Sequence, residues 1–208
     1  MIKMFTHKDF SVFKIEGLDT RMAAIRAEIQ PIFQELDDYM VAQLAPKLGA
    51  TLPVHIAQHR RRTANAPDFT WSAMGGNKRG YKKFPHFTLG INGEYVVMWL
   101  SFIDNPQNEQ AMAQALLDKP ELFTGLPTDM VLNADHTKNN YHDLTKESLE
   151  EDLIRWRDVK KGEFQIGRIL KSDELQSLEA EKARAYMLET YRLLLPLYQL
   201  AYPICLAE

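Results

Sequence analysis

The sequence predicts an α+β fold: an antiparallel sheet of about five to seven strands with helices packed on it. Three observations predict this. First, Leu18, Met22, Ile25, Ile29, Phe33, Leu36, Met40 and Leu44 recur at steps of three or four, the stripe of an amphipathic helix. Second, Asn92-Gly93 separates two strand-like runs, and that dipeptide tolerates the positive φ of a tight hairpin turn. Third, consecutive strand-like runs are joined by tight turns, which favours an antiparallel sheet.

The elements follow in order. Pro31 falls inside the first stripe, so a kink or a junction of two helices is expected there, with Gly49 as the stop. Val54 to Arg62 reads as a strand or a short helix, and Thr70 to Met74 as a strand ended by Gly75-Gly76-Asn77. The hairpin comprises Pro85 to Ile91 and Glu94 to Ile103. With Asn92-Gly93 at its centre, Ile91 pairs with Glu94, Leu89 with Val96, Phe87 with Met98 and His86 with Trp99. Phe87, Leu89, Val96, Met98 and Leu100 then share a core face. His86, Thr88, Val97 and Trp99 share the other. The second strand is apolar on both faces, which places it centrally. A helix is expected over Pro106 to Leu117, a shorter one or a loop from Pro120, and a strand over Met130 to Ala134. Leu144 to Val159 reads as a helix with a Ser148/Glu151 capping box, and Glu163 to Leu170 as a strand. Ser172 or Asp173 should cap a long last helix that Pro196 kinks or ends. No composition break marks a linker, so residues 1–208 are expected to form one domain.

The 208 residues carry 28 acidic and 25 basic side chains, a net charge of -3. No global charge draws the chain to nucleic acid or membrane. Cys205 is the single cysteine, so an internal disulfide is excluded. Its apolar neighbours mark it as an inert tail thiol. The N-terminus lacks the apolar core of a signal peptide, and no apolar run approaches the ~20 residues of a membrane span. A cytoplasmic location with no membrane partner is the expectation.

Chemistry concentrates between His55 and His86. Arg60, Arg61, Arg62, Lys78, Arg79, Lys82 and Lys83 stand there against Asp68 alone, a local charge of about +6 inside an acidic protein. Trp71, Tyr81 and Phe84 are interleaved. Guanidinium groups fit phosphate or carboxylate in a planar fork, and rings beside them stack a base or sugar. The expected ligand contacts are Arg60, Arg61, Arg79, Tyr81, Lys82 and His86, and the expected partner is an anionic small molecule or nucleic acid. The bland alternative is a solvated basic face. Gly75-Gly76-Asn77-Lys78-Arg79-Gly80 has neither the Walker spacing nor a dinucleotide fingerprint. His55 and His59, four apart, share a face and are candidate metal ligands, but no zincin glutamate accompanies them. No metal or cofactor is expected. Asp135-His136-Thr137-Lys138 at a strand end supplies candidate acid/base residues in Asp135 and His136, or else an Asx turn.

Four strings carry a resemblance: Phe13 to Met22, His55-Ile56-Ala57-Gln58-His59-Arg60-Arg61-Arg62, Lys78-Arg79-Gly80-Tyr81-Lys82-Lys83-Phe84-Pro85-His86-Phe87, and Asp135-His136-Thr137-Lys138. Together they resemble the YktB-like bacterial family of uncharacterised proteins, over nearly the whole chain. The resemblance implies a compact α+β fold with an antiparallel sheet and no particular activity. It also falls on the charged strings, which favours a site around Arg60, Arg61, Arg79, Lys82 and His86. Three functions follow as alternatives. The first is an anion-binding protein using 55–86. The second is an enzyme using Asp135 and His136, with or without a metal. The third is a structural or partner-binding protein using the tail around Tyr198, Tyr202 and Ile204.

Overall fold

In the computed structural model, which describes residues 2–103 and 105–207, the N-terminal stripe is divided as Pro31 requires. After α1 (His7–Ser11) and a 3-10 turn come α2 (Leu18–Ala24), a π turn (Ile25–Ile29) and α3 (Gln30–Leu48). Pro31 sits in the first turn of α3, where the missing N–H removes little, and the wide turn before it carries the stripe through. Gly49 ends α3 at φ 60°, a left-handed position that suits a residue without a β-carbon.

The strands are β1 (Val54–Ile56), β2 (Phe69–Gly75), β3 (His86–Asn92) and β4 (Tyr95–Phe102). After α4 (Glu109–Leu117) come β5 (Val131–Asn133), β6 (His142–Asp143), α5 (Lys146–Asp158), β7 (Phe164–Lys171), α6 (Ser172–Ser177) and α7 (Ala180–Leu206). The seven strands form one sheet in the order β1-β2-β3-β4-β7-β5-β6, with every pair antiparallel. The doubly apolar β4 is central, as expected.

Three expectations are corrected. The hairpin pairs Ile91 with Val96, Leu89 with Met98 and His86 with Ser101, two residues away from the Asn92-Gly93 register. Asn92 Oδ1 accepts the amides of Glu94 and Tyr95 at 2.8 Å each, which moves the turn centre to Gly93-Glu94. A shift of two preserves both faces, because side chains alternate with period two. The cap of α5 is Thr145 with Ser148, so Ser148 fills the N3 position and not the N-cap. The last helix begins only after a break between α6 and α7, and α7 continues through both Pro196 and Pro203. Burial of Leu194, Leu197, Tyr198 and Ala201 in the core holds it together across the lost hydrogen bonds.

One sheet face, with Phe87, Leu89, Ile91, Val96, Met98, Leu100 and Ile166, packs on α3 and α7 in the main core. Burial of each such side chain contributes roughly 1.5–3 kcal/mol. The second face carries its own cluster, Tyr95, Val97, Trp99 and Val131 with Phe69, Tyr141 and Ile169, drawn from the sheet and its loops. In the tail, Tyr198 and Cys205 are buried, Tyr202 and Ile204 are partly buried against the core, and Leu206 is exposed. No described helix is long and apolar enough to cross a membrane.

Candidate active site

The second face alternates with the core face, so its floor is set by register. Trp71 pairs with Gly90, Thr88 with Trp99, and Ser101 with Gln165, which in turn pairs with Asn133. The loop after β5 folds back over this floor, and Tyr141 meets Tyr95 edge-on with ring centroids 5.6 Å apart. The result is a partly enclosed cleft of about 70 Å³. Phe69, Trp71, Tyr95, Trp99 and Tyr141 form its aromatic walls. Thr88, Gln165, Asn133, His136 and Lys138 form its polar end. That end is wired: Gln165 Nε2 donates to Ser101 Oγ at 2.9 Å, and Ser101 shares a 2.9 Å bond with Thr88 Oγ1.

His136 is held from one side. Its Nδ1 lies 2.8 Å from both carboxylate oxygens of Glu163, and its backbone amide donates to Glu163 Oε2 at 2.9 Å. Facing a carboxylate, Nδ1 must carry the proton, so the neutral ring keeps its lone pair on Nε2. His136 lines the cleft. A base held by an orienting carboxylate beside a pocket is the arrangement that acid–base catalysis needs.

Asp135 has a different job. It caps the turn by accepting from the Thr137 amide at 3.0 Å, and it pairs with Lys138 at 3.0 Å. The Thr137 and Lys138 contacts hold its carboxyl down at about 2, so it is a fixed anion and not a proton carrier. Of the two expected acid/base residues, the geometry therefore favours His136. Asp135, His136 and Glu163 are also the described group whose donor atoms lie within 4.8 Å of one another. The Asp135 carboxylate is already engaged by Thr137 and Lys138.

The basic segment is split. The loop carrying Arg60 and Arg61 enters β2 at Phe69, whereas Arg79, Tyr81 and Lys82 follow Gly75 at the other end. Seven residues of strand span on the order of 20 Å, so the segment forms two separate loops. Arg79, Tyr81 and Lys82 line one cavity together with Lys83. His86 is not an exposed contact: it is fully buried beneath Tyr81, ring centroids 4.7 Å apart. Its Nδ1 donates to the Phe84 carbonyl at 2.8 Å, and its Nε2 has no hydrogen-bond partner among the described residues. Burial pushes its pKa down to about 4, helped by His55, His136 and Lys82.

His59 is engaged through Nε2, which lies 2.9 Å from Thr70 Oγ1, and its ring stands edge-on to Trp71. His55 lies against Tyr81, ring centroids 5.4 Å apart. Cys205 is buried, and its thiol is pushed up to about 11. Glu163, Trp99, Tyr95, Tyr141 and Gln165 were not signalled by sequence as site residues. Glu163 lies 27 positions from His136 and is brought to it only by the pairing of β5 with β7. The alternation of β4 is the one signal that placed Trp99 on this face.

The buried His86 predicts an acid limb in stability. Its folded pKa is below the ordinary value of 6.5, so below that pH the unfolded chain binds a proton that the folded chain refuses. Stability is expected to fall between pH 6.5 and about 4, by up to about 3 kcal/mol from this residue. Denaturant titrations of the protein and of His86→Asn across that range check it, the variant showing the shallower slope.

A family model described as "Domain of unknown function (DUF1054)" matches residues 5–198. A UPF0637 protein of Enterococcus faecalis is 61% identical over 198 residues, covering 95% of this chain and 98% of the relative. UPF0637 proteins of Exiguobacterium sibiricum and Oceanobacillus iheyensis are 40% and 42% identical, covering 96% and 95% of this chain and 98% and 96% of their own.

Proposed function

The chain belongs to the DUF1054 family, and from that premise we propose that it is an enzyme performing acid–base chemistry on a small ring-bearing molecule held in the cleft. The observation that carries this is His136, fixed through Nδ1 by both oxygens of Glu163 at the polar end of an aromatic cleft. In this reading the aromatic walls stack the substrate ring. Nε2 of His136 accepts a proton from the substrate or from an attacking water and returns it to the departing group. Glu163 fixes the tautomer and stabilises the imidazolium that forms between those steps. Asn133, Gln165 and Thr88 orient the substrate's polar edge. We keep an anionic group on the ligand as part of this reading, supported by Arg79, Tyr81 and Lys82 lining one cavity.

The test is consumption of a compound. The protein is incubated with a panel of nucleosides, sugars and their phosphates, followed by mass spectrometry. At least one compound is expected to be consumed, with loss of about 10²–10⁴-fold in His136→Ala and a smaller loss in Glu163→Gln. Compounds that bind but are never consumed, or consumption that His136→Ala leaves intact, would overturn the enzymatic reading in favour of a binding protein.

A further inference from the structure

We propose that the molecule bound in the cleft carries a phosphate monoester, received by Arg79 and Lys83 on the loop between β2 and β3. The inference rests on the cleft being a ligand site, and it adds the ligand's chemical class. Next to the cleft lies a second, more open cavity of about 580 Å³, lined by Arg79, Tyr81, Lys82, Lys83 and Gln107 among others. None of its described lining residues is acidic. Among the described residues, neither Arg79 nor Lys83 makes an ion pair.

The loop that carries these cations is pinned. Asn77 and Gly80 exchange both backbone hydrogen bonds, at 3.0 and 3.1 Å, and the Arg79 amide donates to Asn77 Oδ1 at 2.8 Å. The Phe84 amide donates to the Tyr81 carbonyl at 2.9 Å. The Lys83 carbonyl accepts from the Gln107 amide at 2.9 Å and from the Cys205 thiol at 3.2 Å. A pinned backbone lowers the entropy lost when its side chains close on an anion.

Tyr81 joins the two cavities. Its ring lines the second one, while its hydroxyl accepts the Trp71 indole N–H at 2.8 Å, and Trp71 is a wall of the cleft. Tyr81 is thus bonded to a wall of the cleft and lines the cavity that Arg79 also lines. Adjoining cavities, one aromatic and one cationic, suit a ring that carries a phosphate, and Arg79 offers the planar fork that a phosphate takes in bidentate fashion. A small molecule is favoured over a polymer. Arg60, Arg61 and Arg62 start from the opposite end of β2, which divides the segment's cations between two loops.

Trp71 and Trp99 line the cleft while Trp156, the third tryptophan, is buried in the core, so indole fluorescence reports on the cleft. The probes are adenosine, adenosine 5′-monophosphate, inorganic phosphate and a single-stranded oligonucleotide. The monophosphate is expected to quench with an affinity at least about tenfold above the nucleoside, the worth of one charge-assisted pair. Inorganic phosphate is expected to compete weakly. Arg79→Glu, at an exposed position, is expected to erase the tenfold advantage and leave nucleoside binding unchanged. Equal affinities for nucleoside and monophosphate overturn the phosphate assignment and leave the cleft standing. Quenching by neither removes both. Tighter, salt-sensitive binding of the oligonucleotide overturns the small-molecule assignment in favour of a nucleic acid.

Discussion

Replacing Asp37 with asparagine is expected to stabilise the protein by about 2–4 kcal/mol at pH 7, a rise in Tm of roughly 5–15 °C. Asp37 lies on α3, fully buried between that helix and the sheet, and neither carboxylate oxygen has a hydrogen-bond partner among the described residues. The nearby Ser72 hydroxyl eases the burial a little, but the hydrogen bond it makes is directed at the Leu89 carbonyl, at 3.5 Å. Burial therefore pushes the carboxyl up to about 8.

The sign follows from proton counting. Above pH 4 the unfolded chain has released this proton and the folded chain still holds it, so stability falls with rising pH up to about 8 and is flat beyond. His86 and His59, both held down at about 4 by burial, impose the opposite slope between pH 4 and 6.5; Asp37 offsets one of the two, so an acid limb remains there. Between pH 6.5 and 8 the Asp37 slope stands alone. Chemical denaturation of the protein and of Asp37→Asn across that window checks it. The parent loses stability with pH and the variant does not. Parallel lines would show that the carboxylate is ionised and partnered in the fold.

Gly167→Ala is expected to cost about 3–5 kcal/mol and to disable the cleft. Gly167 lies on β7 opposite Trp99 of β4 and Val131 of β5. A β-carbon there would overlap the Met98 carbonyl oxygen and stand 2.8 Å from the carbonyl carbon. The obstacle is backbone in the most central strand, which cannot swing aside as a side chain does. The ladder between β4 and β7 must shift, and Trp99 moves with it. Gly80→Ala is the control, since a β-carbon at that position meets nothing within 4 Å. Thermal unfolding should separate the two clearly, with Gly80→Ala within about 0.5 kcal/mol of the parent.

Much of the scaffold was legible because it depends on period. The alternation in β3 and β4 assigned Phe87, Leu89, Val96, Met98 and Leu100 to one face and Thr88, Val97 and Trp99 to the other. Those faces survived a register error, since a slip of two residues does not turn a strand over. The turn centre was not legible: it is decided by one side chain, Asn92, accepting two amides. Pro196 does not end α7, nor does Pro203. A proline's local penalty is real, but burial of the α7 stripe outweighs it.

The site was half legible. His136 stood out as a polar residue at a strand end, and Arg79, Tyr81 and Lys82 stood out as cations and a ring in one short string. Glu163 did not, because nothing local distinguishes a glutamate at the start of a strand. Only the return of β7 between β4 and β5 makes it the partner of His136. Arg60 and Arg61 were grouped with Arg79 by sequence proximity, and the intervening strand carried them apart.

The most direct test of the cleft is crystallographic soaking with a library of small planar fragments. Fragments are expected to lie against Trp71 and Trp99, with a polar atom within hydrogen-bond distance of His136 Nε2 and with Glu163 still on Nδ1. Fragments gathering instead in the apolar groove lined by Phe123, Leu126 and Leu149, with the cleft left empty and His136 turned away from Glu163, would contradict the account.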